Sequence, residues 1–392
     1  MLGAVAAAPV RAADWIERAA GQCGLEPRGL DTLTPGLERF LDAYGRIATP
    51  TEAGRAETGA LILATLEARF RIEDWITRHP ALLGKPVEKP VFILGMPRAG
   101  TTALVNLLAH DPARRFYWSW EENREVPPAR AAHMRDDPRI ARKVSEVNAA
   151  LDAGLLDHRQ HVELGDQPAE CIFLMAQDFK SYLWLSRGLT RDYFNWLLDE
   201  ADMVAAYRHH KRALQLMQSE APGRWTLKLP NHAMAIDAIL KVYPDARIIV
   251  SHRDPVKTVG SSCDAERFFI ERCNRGIDLT ALGRQTLRLL STEMARIMTA
   301  RQAHPHVPFH DFHFRRFAVD PIGEIARIYD FLGEPLTIET EAAMQAELRA
   351  HANVRHRVGA HHYDLANFGV SVGEVETVFA RYTDAYGIER ES

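Results

Sequence analysis

Val91-Phe92-Ile93-Leu94-Gly95-Met96-Pro97-Arg98-Ala99-Gly100-Thr101-Thr102 decides how the rest of this 392-residue chain is read. Its first four residues are an unbroken apolar run, the composition of a strand buried on both faces of a parallel sheet. A loop bounded by Gly95 and Gly100 follows, and Thr101-Thr102 opens a segment with Ala103, Leu104, Leu107 and Leu108 on one helical face. Strand, glycine-bounded loop and helix start together make a concave row of N–H groups at the positive end of a helix dipole. That is an anion site, most often a phosphate site.

The glycine spacing is that of the triphosphate fingerprint G-x-x-x-x-G-K-[ST], but position 101 is threonine where that fingerprint has lysine. The cation has moved into the loop as Arg98. A kinase or ATPase uses its lysine on the outer phosphates and a hydroxyl on magnesium. The loop therefore points to a donor that is not handled as a magnesium–triphosphate.

Working outward, residues 1–88 show apolar positions at helical spacing (Leu37, Phe40, Leu41, Tyr44; Leu63, Leu66, Phe70) and no strand alternation. They are read as a helical extension, with 89–392 as the main domain. Downstream of the loop, Phe116-Tyr117-Trp118-Ser119-Trp120-Glu121-Glu122-Asn123-Arg124-Glu125 sets carboxylates beside tryptophans. A carboxylate against aromatic surface is partly desolvated and suited to general-base work. A solvated acidic pair at a helix start is the plainer alternative. Residues 140–220 read as helical and aromatic-rich, mostly core.

From Arg224 the grammar is βαβ: a short strand to Lys228-Leu229-Pro230, a helix carrying Ile236, Ile239, Leu240 and Tyr243, then the strand Ala246–Val250. Arg253 falls just past that strand, at the edge where open α/β sheets bind ligands. Asp254-Pro255 caps the next helix, and Ser261, two turns in, is placed to share an anion with Arg253. Pairing of Arg253 with Asp254 is the simpler reading. Further on come a helix over about 286–301, a strand over 309–314, and a helix capped by Asp320-Pro321 and stopped at Gly333.

Composition bounds the partners. A net charge of −4 leaves no footprint for nucleic acid or anionic membrane. Four scattered cysteines, Cys23, Cys171, Cys263 and Cys273, suggest neither a disulfide framework nor a zinc site. The histidines around Arg355–Tyr363 have no ligand spacing. No apolar run reaches the roughly 18 residues of a membrane span, and the first residues make a poor signal peptide. The chain is read as soluble and cytoplasmic, with its oligomeric state left open.

Taken together, these residues resemble the sulfotransferases that use 3′-phosphoadenosine 5′-phosphosulfate (PAPS), and most closely bacterial members related to the tyrosylprotein and heparan enzymes. Pro97–Thr102 is similar to the family's 5′-phosphosulfate loop, with its cation at Arg98. His252–Ser262 is similar to the 3′-phosphate segment, with Arg253 and Ser261 eight residues apart. Lys228, 25 residues before Arg253, resembles the lysine placed against the donor's bridging oxygen.

The resemblance implies an α/β, P-loop NTPase-like three-layer fold with a central parallel sheet. It implies sulfuryl transfer to the hydroxyl of a small molecule or glycan. Donor binding would fall to Arg98, Ala99, Gly100, Thr101, Thr102, Arg253 and Ser261, with no metal required. Glu122 matches the tyrosylprotein-type base better than Glu121 does, while members with a histidine base after the lysine point to His232. The tail lacks the R-K-G run that some members place over the 3′-phosphate, and Arg357 and Gly359, with Arg355, are assigned that role in its stead. A P-loop kinase and a non-catalytic binding module on the same fold are the alternatives.

Overall fold

The computed structural model of the protein describes residues 11–47, 49–156, 165–355 and 364–391. Five strands form one sheet: β1 (Val91–Gly95), β2 (Arg114–Arg115), β3 (Arg224–Lys228), β4 (Arg247–His252) and β5 (Phe309–His313), in the order β2-β3-β1-β4-β5. Every pairing is parallel. β1 is central, with Ile93 opposite Lys228 on one side and Gly95 opposite Ser251 on the other. Strand order therefore reverses at β1, and the crevice beyond its carboxyl end is the expected ligand position.

All five residues of β1 are buried, which is why it reads as an uninterrupted apolar run. Its side chains alternate between two cores as the pleat requires. Phe92 and Leu94 join Leu227, Ile248 and Val250 against the helices Met203–Met217, Ile236–Val242, Pro255–Cys273 and Leu279–Ala303. Val91 and Ile93 join Ile249 and Phe312 against the helices Thr101–Leu108 and Pro321–Leu332. Helices thus cover both faces of a parallel sheet, the P-loop-like three-layer arrangement.

The early residues form three helices, Ala12–Cys23, Leu30–Gly45 and Glu52–Arg78. Leu33, Leu37, Phe40, Leu66 and Phe70 pack with Phe179, Trp184, Tyr193, Phe194 and Trp196 in a third core. The aromatic-rich middle of the chain is accordingly interior packing. Predicted stops hold: Asp254 accepts from Val256 N at the start of Pro255–Cys273, and Gly333, at φ 61°, ends Pro321–Leu332. Not foreseen were the two-residue edge strand β2 and the helix Phe314–Val319, both too short to show periodicity.

Candidate active site

Two glycines shape the loop after β1. Gly95, at φ 114°, lies so close to β4 that a Cβ would fall 2.8 Å from the Ser251 carbonyl oxygen. That closeness lets Met96 N donate to Ser251 O at 2.9 Å and ties the loop to the neighbouring strand. Gly100, at φ 78°, caps the helix Thr101–Leu108, whose first N–H groups have no acceptor within the helix. Between them Arg98 takes a left-handed φ of 59°, uncommon for a side chain of that size and typical of strained functional loops.

The turn directs Arg98 toward the helix after β4, where its Nε donates to Ser261 Oγ at 3.1 Å. Arg253, just past β4, donates through Nη1 to the Arg98 carbonyl oxygen at 2.5 Å. Its guanidinium lies over the Phe314 ring, 4.0 Å from the centroid. The loop cation and the predicted Arg–Ser pair are therefore one cluster at the carboxyl edge of the sheet. Arg253 does not pair with Asp254, which accepts from Val256 N and Glu391 N. Instead its fork meets the Glu391 carboxylate, Nε to Oε1 at 2.9 Å and Nη2 to Oε2 at 2.8 Å. Glu391 carries no motif, and no sequence signal marked it.

Lys228 ends β3 with its side chain 1% exposed. Its Nζ lies 3.5 Å from Thr102 Oγ1 and donates to Glu170 Oε1 at 2.8 Å. Glu170 was not anticipated either, being a single glutamate in an irregular stretch. Three segments are stitched together here. Trp118 bridges Pro168 antiparallel, Ala169 N donates to Tyr117 O at 2.7 Å, and Cys171 N donates to Lys228 O at 3.0 Å. The acidic stretch after Trp118 is thereby set beside the end of β3.

The two adjacent glutamates differ. Glu121 is fully buried, both its oxygens take the Arg115 fork, and it also accepts from Trp118 N at 3.1 Å. Arg115 itself lies over the Trp225 ring at 4.8 Å. Glu122, also buried, accepts from Lys143 Nζ at 2.6 Å. Glu125 lies deeper, accepting from Tyr117 Oη and Gln177 Nε2, both at 2.9 Å. Burial pushes its carboxyl up to about 7.

His232 has no solvent exposure. Its Nδ1 lies 2.6 Å from Tyr207 Oη, its ring stands edge-on to Phe92, and burial lowers its proton affinity far below the usual imidazole range. The structure thus brings together Arg98, Ser261 and Arg253, and separately Thr102, Lys228 and Glu170, and seats His232 in the core. Arg357 and Gly359 lie outside the described residues.

The fold has counterparts among known proteins. No curated protein sequence matches the chain. Among solved structures, the sulfotransferase STF9 from Mycobacterium avium is 35% identical, with a TM-score of 0.89 and 100% of both chains covered. The sulfotransferase STF1 from Mycobacterium tuberculosis H37Rv is 26% identical, with a TM-score of 0.84 over 95% of this chain and 99% of that one. The profile of the sulfotransferase family matches residues 90–338, the span that carries β1 to β5 and every side chain of the two clusters except Glu391. The chain belongs to the sulfotransferase family.

Proposed function

We propose that this sulfotransferase moves a sulfuryl group from PAPS to an acceptor hydroxyl, with Glu122 as general base. The observation that carries the reading is the Arg98–Ser261–Arg253 cluster at the mouth of the loop. Two guanidinium groups and a hydroxyl converge there, a donor set suited to a nucleotide with phosphate at both the 3′ and 5′ positions. Backbone N–H groups of residues 98–102, with Thr101 and Thr102, receive the 5′-phosphate at the helix start.

Lys228 and Arg98 neutralise the charge that grows on the bridging oxygen as the S–O bond breaks. Fixed cations aimed at developing charge supply much of the rate in such a site. Glu122 takes the acceptor proton as the new O–S bond forms, leaving a sulfate ester and 3′,5′-diphosphoadenosine. Glu170 holds Lys228 in place before the donor arrives. A small-molecule or glycan hydroxyl is the acceptor class, and no step calls on a metal. A reducing, cytoplasmic setting suits the four cysteine thiols.

Isothermal calorimetry with 3′,5′-diphosphoadenosine tests the donor assignment. Arg253→Ala is expected to weaken binding roughly tenfold or more, the scale of one lost charge-assisted contact. Unchanged affinity, or binding of ATP–magnesium in preference to the diphosphoadenosine, overturns it.

A further inference from the structure

On the face of β1 that carries Phe92, three side chains with metal-ligating atoms meet in the core. Cys171 stands at the start of the helix Ile172–Ala176, His210 in the middle of Met203–Met217, and His232 in the 3-10 turn Pro230–Ala235. All three are 0% exposed, and one ligand atom from each lies within 4.8 Å of the others. The two imidazole rings are 6.0 Å apart and nearly perpendicular.

The hydrogen bonding of the rings is lopsided in the same way. His210 Nδ1 lies 2.7 Å from Tyr243 Oη, and His232 Nδ1 lies 2.6 Å from Tyr207 Oη. Neither Nε2 has a hydrogen-bond partner, though both are fully buried. Two such unpaired buried nitrogens thus belong to one cluster with a thiol. An imidazole fixed through one nitrogen by an oxygen, with the other nitrogen unbonded toward a second and third ligand, is the arrangement of a metal-bound histidine.

We propose that Cys171, His210 and His232 hold a single thiophilic d10 cation, Zn2+ or Cu+, as a structural clip behind Lys228. Two imidazoles and a thiolate match the ligand preferences of both ions. At bond lengths of about 2.0–2.3 Å the ligand atoms sit roughly 3.5 Å apart, so closing the cluster takes side-chain shifts of about an ångström. The proton released from the Cys171 thiol leaves as the metal binds. The clip joins the segment of Glu170 and Cys171 to the turn that follows Lys228, the two pieces already bonded through Cys171 N and Lys228 O. It stiffens the seat of the Glu170–Lys228 pair and takes no part in the transfer step. The cluster is closed to solvent, so loading happens as the chain folds.

The test is elemental analysis of the full chain, expressed in medium supplemented with zinc or with copper and purified without chelator. We expect one equivalent of metal per chain: zinc from both media if the site selects Zn2+, and copper from the copper medium if it selects Cu+. Cys171→Ala and His210→Phe should purify empty, while Cys23→Ala stays loaded. Binding of 3′,5′-diphosphoadenosine reports that each variant has folded. Should His210→Phe not fold, Tyr207→Phe and Tyr243→Phe serve, each expected to weaken retention against a competing chelator by roughly 10–100-fold. Wild-type chain free of both metals overturns the proposal, as does equal metal content in wild type and folded Cys171→Ala.

Discussion

Glu121 and Glu122 are neighbours in sequence, yet the fold puts them to different uses. Glu121 is locked in the interior by the Arg115 fork and the Trp118 amide. Removing one partner of a buried pair leaves the other charge uncompensated and costs about 3–5 kcal/mol. Glu121→Gln should therefore lower unfolding free energy by about 3 kcal/mol or more in urea titrations, whatever it does to activity. Glu122 is buried too, but it accepts from a partner, the Lys143 ammonium, that is itself part-exposed. Glu122→Gln should lower the urea midpoint less than Glu121→Gln does, because its Lys143 partner is part-exposed, and reduce kcat roughly a hundredfold or more, the loss expected when a general base is removed. Equal turnover by Glu122→Gln and wild type would place the base elsewhere, with Glu170 the nearest carboxylate to Lys228. The sequence favoured Glu122 over Glu121 only through resemblance; what separates them physically is Arg115, six residues upstream and invisible as a partner until the chain folds.

At the scale of elements, the loop after β1 was fully legible. Its strand is buried on both faces and so carries no polar alternation, and its glycines stand where positive φ is needed. Gly100→Ala forces a Cβ to 3.0 Å from the Phe314 ring at φ 78°. Strain of this kind costs about 1–3 kcal/mol. The expected result is a lowered Tm together with weaker diphosphoadenosine binding, read by calorimetry on the same sample. Arg253 shows what sequence could not reveal. Its position past β4 was predicted, but its bidentate partner Glu391 comes from the far end of the chain. If Arg253 grips a phosphate, that carboxylate must yield to it. Glu391→Gln should then tighten diphosphoadenosine binding by roughly threefold or more, since one competing charge-assisted contact is worth on the order of 1 kcal/mol. Weaker binding by this variant would instead make Glu391 a support for Arg253.

For the molecule as a whole, buried titratable groups set the pH dependence of stability. His209, His210, His232, His252, His310 and His313 are all held neutral, chiefly by burial. Their folded-state pKa values lie below the unfolded value, so the unfolded chain binds more protons and stability falls as pH drops below about 6.5. Glu125 and Glu266 are raised to about 7 and Glu293 to about 8, again by burial. For these the folded chain binds more protons, and stability falls as pH rises from about 4.5 through 7 to 8. The six histidines outweigh the three carboxyls below pH 6.5, and the carboxyls alone act above it. A thermal-melt series across pH 5–8.5 should therefore show the highest Tm near pH 6.5; a Tm still climbing at pH 8 would contradict this balance. Apart from His232 and Glu125, which lie in stretches already singled out, these groups did not stand out in the sequence, because burial of an isolated histidine or glutamate depends on contacts from distant segments. No helix among the described residues is long and apolar enough to cross a membrane, in line with the absence of a long apolar run.

The donor and the transfer itself define the proposed function. Incubating the protein with sulfur-labelled PAPS and a mixed library of phenol, steroid, sugar, lipid and peptide hydroxyls, then resolving products by mass, measures both at once. Label on an acceptor oxygen, released with 3′,5′-diphosphoadenosine and strongly reduced in Glu122→Gln and Lys228→Ala, is the predicted result. No labelled product from a chain that binds diphosphoadenosine, or phosphorylated product when ATP–magnesium replaces PAPS, would contradict it.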